Sequence, residues 1–144
     1  HFSGRVLAVK GSKEQAKVVM INSKRMMMAD TGATHILKGI KNLSELKGYS
    51  REVRLDTATG AQTARMQNEV VYVEGEDLQS LFPLASYVQY LNLEMTWNND
   101  VCKLTLPDGQ EIHLYRQGKS IYISEEGADT LVKMRKKVCN LIIF

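Results

Sequence analysis

A chain of 144 residues, 44% hydrophobic and 24% charged, has the make-up of one soluble globular domain that can bury a core without metals or disulfides. Its net charge of +3 comes from scattered Lys and Arg, and its densest basic run (Lys133, Arg135, Lys136, Lys137) has no interleaved aromatics, so it reads as a solvated helix end, not a nucleic-acid face. The two cysteines, Cys102 and Cys139, lie outside any metal-ligand spacing and read as buried free thiols of a reducing compartment; no cofactor is implied, and no stretch approaches a transmembrane length.

In chain order, residues 1–11 are mixed in polarity and do not read as a signal peptide. Residues 2–9 and 17–21 read as strands. Asn22-Ser23-Lys24 is a tight turn, and 25–29 is an apolar return strand running straight into Asp30-Thr31-Gly32-Ala33. Residues 34–40 and a polar stretch to Ser50 follow. Residues 52–56 and 61–66 form a hairpin about Thr57, Ala58, Thr59 and Gly60, where Gly60 can take positive φ. Residues 70–73 read as a further strand.

Pro83 then opens a helix over 84–93, with Leu84, Val88 and Leu91 on one face. Turns at Asn98-Asn99-Asp100, Pro107-Asp108-Gly109 and Gln117-Gly118 separate strands at 101–106, 111–115 and 120–123. Ser124 can cap a last helix with Glu125 and Glu126 in its first turn. Residues 138–144 are apolar, contain no breaker and read as a terminal strand in need of a partner.

Asp-Thr-Gly is a short motif, and its bland reading is a turn in which Asp and Thr bond local backbone while Gly supplies a left-handed conformation. Context argues for more. Four apolar residues, Met26 to Ala29, deliver Asp30 from a buried strand, which a surface turn does not need. A carboxylate held beside a second carboxylate shares one proton with it, so one member can activate water while the other polarises a carbonyl. His35, just past the loop, reads as a packing or solvated residue.

The segment VVMINSKRMMMADTGATHIL (18–37) resembles the hairpin and active-site loop of retroviral and retrotransposon aspartic proteases. The 53–66 hairpin lies where that family has its flap. LFPLASYVQYLNL (81–93) lies where it has a late strand and short helix, although Pro83-Leu84-Ala85 stands where Gly usually follows an apolar pair. VCKLTLPDGQEIHLYRQGKSIYIS (101–124) resembles β segments that follow the protease core in copia-type elements.

The resemblance implies a mainly β, retropepsin-like fold: a closed barrel-like protomer with a flap hairpin and one or two short helices. It also implies one domain over 1–144, with about 98–144 as a possible family-specific extension. Asp30 would be the catalytic carboxylate, Thr31 would grip its symmetry mate, and Gly32 would complete the loop. Ala33, Thr57, Ala58, Thr59 and Gly60 would contact substrate. The flap would have one glycine at its tip, Gly60, unlike the Gly-rich tips of viral enzymes.

One Asp-Thr-Gly copy in a short chain implies a homodimer, with each subunit giving one carboxylate. Leu55-Asp56-Thr57-Ala58 begins like a second copy, but Ala58 stands where Gly is required. Residues 2–9 and 141–144 are candidates for an intersubunit sheet; 141–144 could instead fill an edge of their own sheet. The implied substrate is polypeptide, the element's own polyprotein included, cut in the cytoplasm or within virus-like particles, with no metal, membrane or nucleic acid. A chain starting at His1 instead of Met fits an excised fragment of such a polyprotein, and equally a sequence simply cut at that point. Two other readings stay open: a retropepsin-fold module for dimerisation or peptide binding without catalysis, and an unrelated β domain whose motif is a turn. The intact motif favours the enzyme over the first, and the apolar approach strand weighs against the second.

Overall fold

The computed structural model describes residues 5–9, 17–57 and 60–142, and among them strands dominate. β1 (Arg5–Val9) is followed by β2 (Met20–Ile21) and β3 (Lys24–Ala29), joined by a turn in which Asn22 and Ser23 take φ of 54° and 62°. Two successive positive-φ residues give a tight hairpin turn, and Asn tolerates that conformation well. β4 (Ile36–Ile40) precedes a 3-10 turn at Leu43–Glu45, and β5 (Arg51–Thr57) and β6 (Gly60–Gln67) form the expected hairpin. Then come β7 (Val70–Glu74), β8 (Leu81–Phe82), α1 (Leu84–Leu91), β9 (Glu94–Trp97), β10 (Cys102–Thr105) and β11 (Glu111–His113). β12 (Tyr115–Gln117), β13 (Ser120–Ser124) and α2 (Glu125–Ile142) follow.

The main sheet runs β1-β5-β6-β7-β4-β8-β3-β13-β12, with β2 attached to β3, while β11-β10-β9 forms a second sheet. The chain is thus mainly β, but the expected closed barrel does not form among the described residues. Closure needs every strand paired on both sides; β1 pairs only with β5 and β12 only with β13. β1, expected as a candidate for an intersubunit sheet, runs parallel to β5 within the chain's own main sheet.

Two apolar clusters flank β3. One gathers Met27, Phe82 and Tyr87 with Leu104, Leu114, Ile123 and Leu131, so the chain after Trp97 shares a core with the strand that leads into the motif. The other lies under the hairpin, with Val53, Leu55, Ala64, Val71 and Leu81, and Met28 packs against it. Being covered on both sides explains why β3 is a run of consecutive apolar residues instead of an alternating one.

α1 buries Leu84, Tyr87 and Leu91, with Val88 partly buried beside them. It stops short of the expected end at 93, because Asn92 takes a left-handed φ of 55° and Leu93 N–H returns to Val88 C=O at 3.0 Å. α2 is capped as expected, Gly127 N–H donating to Ser124 Oγ at 3.0 Å. The terminal strand expected over 138–144 is not found: α2 runs to Ile142, and residues 143 and 144 lie outside the described residues. Ala128, Leu131, Val132 and Val138 recur at helical spacing and pack on the first cluster, so the apolar run extends a helix face already set upstream. The basic run therefore lies inside a long helix instead of at its end, whose last turn has no basic residue. No helix among the described residues is long and apolar enough to cross a membrane.

Candidate active site

β3 lies between β8, which it pairs in parallel through Met28↔Leu81 and Ala29↔Phe82, and β13, which it pairs antiparallel through Ser124, Ile123 and Tyr122. Met26 and Met27 are each 1% exposed. The parallel ladder continues into the motif: Met28 N–H donates to Ser80 C=O at 2.8 Å and Asp30 N–H to Phe82 C=O at 3.0 Å. Asp30 is thus fixed by backbone at the moment the chain leaves the core. Gln79, 6% exposed, pins the same junction: its Nε2 donates to Met26 C=O at 2.6 Å and to Ser80 C=O at 3.0 Å, while its Oε1 accepts Val19 N–H at 2.7 Å.

The loop folds around its own carboxylate. Gly32 N–H donates to Asp30 Oδ1 at 2.8 Å, and Ala33 N–H to Asp30 C=O at 3.2 Å. Asp30 is partly buried, Thr31 and Gly32 are exposed, and Ala33 is buried. Asp30 Oδ2 and Thr31 Oγ1 have no hydrogen-bond partner among the described residues. The bland turn reading is met in part, since Asp30 bonds local backbone. It fails at Gly32, which does not take a left-handed φ. A Cβ on Gly32 would meet Asp30 Oδ1 at 3.4 Å, an ordinary contact.

His35 follows directly, partly buried, with its Nδ1 2.9 Å from Thr34 Oγ1. Burial pulls its pKa below the usual 6.5; Glu69 opposes that shift, and Arg135 and Arg51 reinforce it. The ring is therefore neutral at pH 7.

The hairpin ladder runs from Arg51↔Met66 to Thr57↔Gly60, which brackets Ala58 and Thr59. The expected substrate contacts Ala58 and Thr59 lie outside the described residues. Val53, Leu55 and Ala64 anchor the hairpin base in the second cluster. β1 lies along β5, so the hairpin is not a free two-stranded arm. Asp56, in the sequence that looks like a second motif, is an ordinary strand residue opposite Ala61. The hairpin and β3, which leads into Asp30, are separate parts of the same sheet. A cavity of about 380 Å³ on the hairpin is lined by Glu52, Val53, Arg54, Ala61, Gln62 and Thr63, and Asp30 is not part of it.

Sequence reading missed Phe82 and Gln79, because their roles depend on partners distant in sequence and leave no local pattern. It also missed β9. Among the described residues no three His, Cys, Asp or Glu side chains gather into a metal site. No protein-family model, curated protein or solved structure matches this chain.

Proposed function

We propose that this chain is one protomer of a retropepsin-type aspartic endopeptidase, active as a homodimer that hydrolyses extended polypeptides, its own precursor among them. The observation that carries the reading is the hold on Asp30. Its amide is tied to Phe82 C=O, one carboxylate oxygen is tied to Gly32 N–H, and the other has no partner among the described residues. A turn that served only to reverse the chain would not need its first residue's amide tied to a buried strand. The order of β3, the hairpin, β8 and α1 agrees with the resemblance seen in the sequence.

In the dimer, the two Asp30 carboxylates would share one proton. The ionised one takes a proton from water as the water attacks the scissile carbonyl carbon, and the protonated one donates to the carbonyl oxygen, giving a neutral gem-diol. The exposed Thr31 hydroxyl is free to meet its twin across the two-fold axis. Peptide binds in extended form, by backbone pairing, beneath the hairpins.

The deciding experiment incubates the chain with a mixed peptide library and reads cleavage by mass spectrometry, alongside sedimentation velocity. Cleavage by a dimer, lost in Asp30→Asn while the dimer persists, supports the reading. A monomer at high concentration, or an Asp30→Asn variant that still cleaves, rejects it.

A further inference from the structure

A second cavity is lined by none of the motif residues Asp30 to Ala33. It has a volume of about 300 Å³, and Ile36, Val70, Tyr87 and Val132 form its apolar walls. Arg135 and Lys136 of α2 line one part, and Glu69 of the β6–β7 turn lines another.

Arg135 is the distinctive group. Its guanidinium carbon lies 5.1 Å from the ring centre of Tyr87 and 5.0 Å from that of Tyr90. Two aromatic faces hold a planar cation in one orientation while leaving its edge N–H groups free. Arg135 is partly buried, and no carboxylate among the described residues pairs with it. The Tyr90 hydroxyl is engaged by Cys139 Sγ at 3.0 Å, so it does not compete for the guanidinium edge. The cavity thus offers apolar walls and a pre-set fork of donors, the combination that recognises a carboxylate joined to an apolar body.

We propose that this cavity binds a small organic carboxylate with an apolar or aromatic tail, its carboxylate on Arg135 and its tail between Ile36, Val70 and Val132. The size limits the ligand to roughly ten heavy atoms, at water's share of ~30 Å³ per molecule. Lys136 adds a second positive charge, and Glu69, which lines the same cavity, opposes the ligand's carboxylate. The proposal stands on the cavity alone and does not depend on the protease reading.

Isothermal titration of the full chain with 3-phenylpropanoate and with its neutral amide tests the idea. The acid should bind at least tenfold more tightly than the amide, as expected for a charge-assisted pair set against a neutral one. Arg135→Met should remove that preference. Because Arg135 also packs on two tyrosines, Glu69→Gln provides a second test on an exposed turn: it should tighten the acid and leave the amide unchanged. Equal affinity for acid and amide, no binding of either, or an acid affinity unmoved by Glu69→Gln in folded protein would overturn the assignment.

Discussion

The amide of Asp30 donates to the carbonyl of Phe82 across 3.0 Å, and the Phe82 side chain is 0% exposed, with its ring 4.7 Å from that of Tyr87. The placement of an exposed loop is therefore set by a residue in the middle of the core.

Phe82→Ala should cost about 4 kcal/mol, the usual toll of emptying a buried aromatic site. Phe82→Leu should cost about 1.5 kcal/mol or less. Chemical denaturation reads both, and equal small costs would show that the ring is not a packing centre.

If the catalytic pair is built across a two-fold axis, Asp30→Asn chains should poison their wild-type partners. With subunits free to exchange, an equal mixture of wild type and variant should retain about a quarter of the wild-type activity, since only wild-type pairs are competent. Retention of half would mean that each chain works alone.

The rate of cleavage should be bell-shaped in pH. The ascending limb marks the first ionisation of the carboxyl pair and the descending limb the second, because the reaction needs one acid and one base. A profile still rising above neutrality would speak against a shared proton.

His35 should make stability depend on pH in a definite direction. Its folded pKa lies below 6.5, so between 6.5 and that lower value the unfolded chain binds a proton that the folded one does not. Stability is fully present above the unfolded pKa and falls as pH drops through this window. His35→Gln should flatten the slope of the unfolding midpoint against pH there, and an unchanged slope would locate the titration elsewhere.

A Cβ on Gly39 would stand 1.9 Å from the carbonyl oxygen of Gly75. β4 and the bend after β7 meet there, Gly75 N–H donating to Ile40 C=O at 2.7 Å, and backbone cannot step aside as a side-chain tip can. Gly39→Ala should cost about 3 kcal/mol. Thermal unfolding that shifts by less than a degree or two would refute the contact.

The strand into Asp30 and the β5–β6 hairpin were legible because their signals are local: an unbroken apolar run ending in Asp, and two alternating stretches around a short loop. The pairing of β3 with β8 and β13 was not, since β8 has two residues and its partners are chosen by burial far along the chain. The α2 terminus misled because Val138 and the apolar residues after it, taken as a short window, suit strand or helix equally. Only their phase with Leu131 and Val132 settles the choice. Gly39 and Gln79 gave no warning, because steric room and multiple hydrogen bonding arise only once distant backbones meet.

The ladder around β3 also sets an order in time. Its long-range partners are made in turn, β8 with Leu81 and Phe82, and β13 only once Ser124 has been added. Until β8 has been made, the amide of Asp30 lacks the carbonyl it donates to in the finished fold. Synthesis itself thus orders the loop's surroundings in two steps, first when Phe82 exists and again when β13 closes on β3.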